Sequence, residues 1–332
     1  MQNYKIKHKL FDIRQKNATF AENLIIKMPK VSVILPVYNV GPYLDRTIQS
    51  LTEQSLKDLE IIAVNDASTD NSEEILKKYQ AADSRFRYFN QEKNQGQSVA
   101  RNVALQHATG EYIYFMDSDD VINTDALQEC YDYIEKTKAD FIFFDGNILQ
   151  EKGAAPIPWN YQRTYLVEED TRYTGDYLLN LMLDKRKHNC VVWLLFIRRD
   201  YLEKIQLTFH PGIIHEDELF TVKLAVQSSN VYALKRCFVS HRVRRASTMG
   251  VSYSQHNINC YLTVIDELLK FQQTPLIDKF ARYTLSIVFY TGHLIPFKEK
   301  FGVFWRAVRS GYLKYIGLKS VLVFWLKRKS AL

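Results

Sequence analysis

The chain has 332 residues, enough for two average domains or for one large α/β domain with helices appended. Hydrophobic residues at 46% and charged residues at 24% exclude a disordered chain, and 12 glycines with 8 prolines exclude collagen-like or low-complexity sequence. The formal net charge of +7 is uneven: residues 1–30 carry +5 and residues 297–332 carry +8, which leaves −6 on the body between them.

Residues 1–29 read as a basic extension without a signal peptide, since Lys5, Lys7 and Lys9 lead into Phe11-Asp12-Ile13-Arg14 rather than an apolar run. A strand–helix alternation then runs to residue 144. Val31–Val37 is an apolar, β-branched run of buried-strand length, and Pro42 suits the first turn of a helix reaching about Gln54. Leu59 to Val64 repeats the strand pattern, and Asp70 can cap a helix in which Glu73/Lys77 and Glu74/Lys78 are i,i+4 pairs. Strands at Arg85–Phe89, Glu111–Met116 and Phe141–Phe144 alternate with helices at Gln97–His107 and Asp125–Lys136. Such alternation predicts a parallel sheet covered on both faces.

The second half is less regular. Gly153, Pro156 and Pro158 mark an excursion over 145–170, followed by a helix near 174–187 and a strand-like Val191–Ile197. A helix from about Glu216 to Ser228 precedes one or two strands within Val231–Arg244, and from about 255 onward only helices are expected. The organisation reads as a catalytic domain over 30–252 and a helical region over 253–332.

Cys130, Cys190, Cys237 and Cys260 are widely spaced, so reduced thiols in a cytoplasmic setting are expected rather than a zinc or disulfide framework. No apolar stretch reaches the roughly 18–20 residues that span a bilayer.

In an open α/β sheet, ligands bind beyond the carboxyl ends of the strands. There the sequence places Pro36-Val37-Tyr38-Asn39, Asn65-Asp66-Ala67-Ser68-Thr69-Asp70 and Asp117-Ser118-Asp119-Asp120. Three carboxylates within four residues repel one another unless a cation offsets them, and two Asp at i and i+2 suit Mg²⁺ or Mn²⁺, which also accept diphosphate oxygens. A solvated turn with a helix cap is the competing explanation, and the same holds for Asp66 and Asp70.

These blocks, together with Asn94-Gln95-Gly96 and Ala100-Arg101-Asn102, resemble family 2 glycosyltransferases in order and spacing. The resemblance is strong over about 31–125 and continues weakly through His215-Glu216-Asp217-Glu218-Leu219-Phe220 and His241-Arg242-Val243-Arg244. It implies a GT-A fold, an α/β architecture with a Rossmann-like, mostly parallel sheet, plus a helical C-terminal extension. It also implies inverting, metal-dependent transfer of a hexose or N-acetylhexosamine from a UDP-sugar to a glycan or lipid-linked glycan. The setting it suggests is the assembly of bacterial capsular or other surface polysaccharide. Residue by residue, the resemblance puts Asp66 on the uracil, with Pro36 and Tyr38 lining the base pocket and Asn39 on the same donor side. Asp117 falls by the ribose and sugar, and Asp119 on the Mn²⁺ or Mg²⁺ ion. Arg101 either orients the acidic cluster and donor or is a structural salt bridge. Asp217, at a helix start that favours an ionised carboxylate, is the expected catalytic base. Arg242 and Arg244 are candidates for the diphosphate and His241 for a further metal ligand, against a plain basic strand face.

Residues 298–332 interleave lysines and arginines with Phe301, Phe304, Trp305, Phe324 and Trp325. That pattern suits peripheral contact with the anionic inner face of the cell membrane, or a helix simply packed on the domain. Nucleic acid is not expected as a partner, because no binding motif accompanies the charge. Two other functions stay open: a sugar nucleotidyltransferase, although no Gly-rich loop follows the first strand, and a nucleotide-sugar-binding scaffold without turnover.

Overall fold

The computed structural model describes residues 28–154, 157, 159–244 and 253–327. The strands are β1 (Val31–Val37), β2 (Leu59–Asn65), β3 (Phe86–Asn90), β4 (Tyr112–Phe115), β5 (Val121–Ile122), β6 (Phe141–Gln150), β7 (Leu195–Arg198) and β8 (Val231–Val243). They form one sheet in the order β3-β2-β1-β4-β7-β6-β8-β5. The helices are α1 (Gly41–Thr52), α2 (Ser72–Ala82), α3 (Gln97–His107), α4 (Ala126–Thr137), α5 (Gly175–Asp184), α6 (Arg199–Lys204) and α7 (Glu216–Val226). Four more close the chain: α8 (Gln255–Phe271), α9 (Pro275–Thr291), α10 (Phe297–Arg309) and α11 (Leu318–Leu326).

The uninterrupted apolar runs form the sheet's centre because both of their faces are buried. Val31, Val33 and Leu35 of β1 enter one core with Leu44 and Ile48 of α1, and Ile34 enters the opposite core with Ala100 and Ala104 of α3. A third core joins Leu179 of α5 and Leu219 and Val222 of α7 to α8–α11. Contact between α5 and α7 is so close that a Cβ on Gly175 would stand 1.9 Å from the Ala225 carbonyl oxygen.

The sheet is mixed rather than wholly parallel. Pairs β1–β2, β2–β3, β1–β4 and β6–β8 are parallel, but β7 lies antiparallel between β4 and β6. Apolar patterning reports burial and carries no strand direction, so the insertion was not readable. Val191–Ile197 is likewise not one strand: Val192–Leu194 forms a 3₁₀ turn before β7. Within Val231–Arg244 a single strand of 13 residues forms, and within 145–170 β6 continues to Gln150. Pro156 and Pro158 lie outside the described residues.

Two details of the sheet create a crevice. Pairing of β1 with β4 stops at Ile34/Phe115, whereas pairing with β2 continues to Val37/Asn65, so the strands part where Pro36 removes an N–H. This is also where the strand order reverses, the usual ligand edge of an open α/β sheet. Short β5, which the sequence did not announce, then pairs antiparallel with β8 (Val121 with Ser240) and brings the Asp117–Asp120 turn against His241–Arg244.

Candidate active site

The loop after β2 forms one wall of the crevice. Asp66 is buried, and its two carboxylate oxygens accept the N–H groups of Gln95 and Gly96 at 2.7 and 2.8 Å. Gly96 has φ +86°, a conformation that aims these donors at one acceptor and opens α3. Asn39 accepts the Thr69 N–H at 2.8 Å and gives its own N–H to Ser68 Oγ at 3.0 Å, so the two strand-end loops are laced together. Pro36 is buried below them, while Tyr38 keeps a ring 46% exposed on which a flat base can lie. Asp70 is not the N-cap of α2, a place that Asn71 takes; it accepts from Ser72 N and Gly41 N at 3.0 and 2.9 Å and so pins α1 to α2.

The second wall is the acidic turn. Asp120 has no exposed surface; its Oδ1 accepts the Arg242 N–H at 2.8 Å and its Oδ2 meets His241 Nδ1 at 2.9 Å. The His241 ring is stacked on Trp193 with centroids 4.9 Å apart. Burial pushes the Asp120 carboxyl up to about 7, against the pull of His241. Burial alone would lower the His241 imidazole, but Asp120 holds it above its ordinary value. Asp119 binds Arg244 Nε through Oδ2 at 2.7 Å, and its backbone carbonyl accepts from Arg242 Nε at 2.9 Å. Burial and neighbouring Asp117 raise the Asp119 carboxyl, with Arg244 and His241 opposing them. Both guanidinium groups lie over the Tyr43 ring, at 4.9 and 5.5 Å. Arg242 and Arg244 therefore brace the acidic turn and do not form a plain basic strand face.

Arg101 connects this turn to the start of α7. Its NH1 donates to Glu216 Oε1 and Asp217 Oδ1 at 2.8 and 2.9 Å, and its NH2 donates to Asp117 Oδ1 at 3.0 Å. The guanidinium is buried, lies over the Phe209 ring and is held firmly protonated by the three carboxylates despite its burial. Burial pushes Asp217 up to about 8; Arg101 opposes this, while Glu216 and Asp117 add to it. Among the described residues Asp217 Oδ2 has only a 3.3 Å contact, from Val192 N, so it is the oxygen open to a proton.

The structure thus gathers Asp117, Asp119, Arg101, Asp217, His241, Arg242 and Arg244 around one crevice edge. The ligand atoms of Asp117, Asp120 and His241 lie within 4.8 Å of one another, while the Asp119 carboxylate stands on Arg244. The carboxylates of this set suit Mn²⁺ or Mg²⁺, while its imidazole equally suits Zn²⁺ or Fe²⁺. Asp66 stays apart, its carboxylate shaping the loop before α3. The sequence reading quoted Asp120 and Glu216 within its acidic motifs but gave neither a role of its own, and it did not single out Trp193. Asp120 could have been suspected from its place in the Asp run, and Glu216 from its pairing with Asp217, but nothing local marks Trp193 as the shelf for His241.

The sequence model of the family described as Glycosyl transferase family 2 matches residues 32–206. The uncharacterized glycosyltransferase YibD of Escherichia coli (strain K12) is 33% identical over 246 residues, 69% of this chain and 68% of that protein. The poly(ribitol-phosphate) beta-N-acetylglucosaminyltransferase TarP of Staphylococcus aureus (strain N315) is 29% identical over 251 residues, 73% of this chain and 72% of that one. Among solved structures, S. aureus TarS 1-349 in complex with UDP-GlcNAc superposes with TM-score 0.68 at 20% identity, covering 89% of this chain and 83% of that chain. The fold is accordingly GT-A, with a C-terminal group of helices. The chain belongs to glycosyltransferase family 2 and is a glycosyltransferase, not a nucleotidyltransferase or an inert scaffold.

Proposed function

We propose that this enzyme transfers a hexose or N-acetylhexosamine from a UDP-sugar to a glycan acceptor in surface polysaccharide assembly, with inversion and with Asp217 as the base. The observation that carries this reading is the Arg101 bridge, which puts Asp217 one guanidinium away from Asp117 at the donor strand end. The relative named as an N-acetylglucosaminyltransferase and the neighbour bound to UDP-GlcNAc support the choice of donor class.

In this reading the nucleotide lies between Tyr38 and the loop of Asp66, Pro36 and Asn39, with Asp117 beside the ribose. A divalent cation would be held by His241 with Asp117, joined by Asp119 once its carboxylate leaves Arg244. An ionised Asp120 would keep the proton on His241 Nδ1 and leave Nε2 as the nitrogen with a free lone pair. Bound there, the ion would supply positive charge against the diphosphate oxygens. Arg242 and Arg244, already at this turn, add to that field. The acceptor hydroxyl attacks the anomeric carbon, the bond to UDP breaks on the opposite face, and the proton passes to Asp217 Oδ2. A base raised to about 8 accepts that proton readily while remaining partly ionised at neutral pH.

No helix among the described residues is long and apolar enough to cross a membrane. A cytoplasmic enzyme using cytoplasmic UDP-sugars is our reading.

The test is Asp217→Asn assayed with a panel of UDP- and GDP-sugars and Mn²⁺. UDP-sugar binding should persist by calorimetry while kcat falls by about 10²–10⁴-fold. NMR of the wild-type product should show the inverted anomer. Near-normal transfer by the variant would remove Asp217 from the mechanism.

A further inference from the structure

We propose that the outer face of α10 and α11 is a docking surface for an anionic phospholipid bilayer. This goes beyond the transfer reaction and does not depend on the donor or on Asp217. On α10, Phe297, Phe301 and Trp305 follow at i, i+4 and i+8 and are 60, 49 and 58% exposed. On α11, Leu318, Leu322 and Leu326 repeat that spacing at 74, 49 and 74% exposed. Residues at this spacing share one side of a helix. The opposite sides are already in use, with Val303 and Ala307 of α10 and Phe324 of α11 buried in the third core. Each helix is therefore apolar toward the core and apolar again toward the outside, which packing on the catalytic domain does not explain.

The α10 ridge runs on to α11 through Trp325. The Trp325 ring lies 6.0 Å from that of Phe297 and 5.1 Å from that of Phe301, centroid to centroid. The Lys327 ammonium stands 5.6 Å over Tyr290 at the end of α9. The surface is also fixed in place: Arg306 binds Asp266 of α8 at 2.9 Å, and Lys300 Nζ donates to the Phe324 carbonyl, tying α10 to α11. The exposed ridges cannot fold inward without breaking these bonds.

Charge selects the occupant. Lys298, Arg309, Lys314, Lys319 and Lys327 are exposed around the ridges and form no ion pair among the described residues. The one acid between 297 and 327 is Glu299, which accepts the Gln255 N–H. A second copy would oppose five cations with five cations, whereas an anionic bilayer complements them. At 13 and 9 residues these helices are too short to cross a bilayer and suit its interface, where aromatic side chains and lysine stems settle.

The experiment is flotation of the full chain with vesicles of phosphatidylcholine alone or mixed with phosphatidylglycerol. Binding should be at least about tenfold greater with phosphatidylglycerol present. Trp305→Ser with Leu318→Ser and Leu326→Ser, among the more exposed positions, should reduce flotation by about tenfold or more with the melting midpoint little changed. Lys298→Glu with Lys314→Glu and Lys319→Glu should abolish the preference for phosphatidylglycerol. Equal partitioning of wild type between the two vesicle types, or flotation of the serine variant like wild type, overturns the proposal. So does a lipid-free dimer that the serine variant dissociates, since the face then belongs to a second copy.

Discussion

Replacing Arg101 by Met keeps most of the side-chain volume and removes the only cation that contacts Asp117, Glu216 and Asp217 among the described residues. The three carboxylates do not contribute equally. Asp217 and Asp117 are 19 and 26% exposed and can recruit water, whereas Glu216 is 1% exposed and cannot. Glu216 therefore dominates, and breaking a buried pair of this kind costs about 3–5 kcal/mol. Loss of the contact with Phe209 adds a smaller amount, about 1 kcal/mol. At roughly 2–4 °C per kcal/mol, the melting midpoint should fall by at least about 6 °C. The deficit should also depend on pH. Asp217 has a folded-state pKa raised to about 8, so the folded state binds the extra proton, and stability falls as pH rises from the unfolded value near about 4 toward 8. Without Arg101 that fall steepens, so the variant should be closest to wild type at the acid end of this window. Adding Glu216→Gln should recover more than half of the loss. Scanning calorimetry between pH 5 and pH 8 measures all three effects. A variant melting within about 2 °C of wild type at pH 8 refutes the assignment of Arg101 as the site's electrostatic hub.

Three further outcomes are expected. If Asp217 is the base, wild-type kcat/KM should fall about tenfold per pH unit below its pKa of about 8, because only the ionised carboxylate accepts the proton; a flat profile between pH 6 and 8 contradicts it. Asp120→Asn removes the charged partner of His241 Nδ1, and Mn²⁺ affinity by titration calorimetry should weaken about 10–100-fold with the fold intact; an unchanged affinity separates His241 from the metal. Gly175→Ala forces a methyl to 1.9 Å from the Ala225 carbonyl oxygen, and denaturant melts should show a loss of about 1–3 kcal/mol or more as α5 is pushed off α7.

Much of this was legible in the sequence because burial writes itself into apolar runs. The residues of β1, β2 and β4 are buried on both faces, and the polar residues immediately after them mark the ligand edge. Helix α3 runs over the expected Gln97–His107, opening at Gly96. What stayed hidden depends on contacts between distant segments. The antiparallel seat of β7 and the meeting of β5 with β8 are matters of pairing, which local pattern does not encode. The roles of Asp120 and Glu216 follow from partners about 120 residues away, His241 and Arg101, and a run of acids looks the same with or without them. The outward ridge of α11 likewise depends on which side of the helix the third core occupies, and nothing local marks Leu318, Leu322 and Leu326 as exposed.

Helix α7 bears Asp217 on its first turn and is enclosed on two sides, by Phe220 and Leu224 in one core and by Leu219 and Val222 in another. An element wedged in this way opens only when both cores open, so its local unfolding free energy approaches that of the whole molecule. On the proposed mechanism, the carboxylate that takes the proton therefore waits at a fixed address. Any closing motion around a substrate then falls to the strand-end loops, and if Asp217 is the base the timing of the cycle is set by parts of the chain that carry none of its proton chemistry.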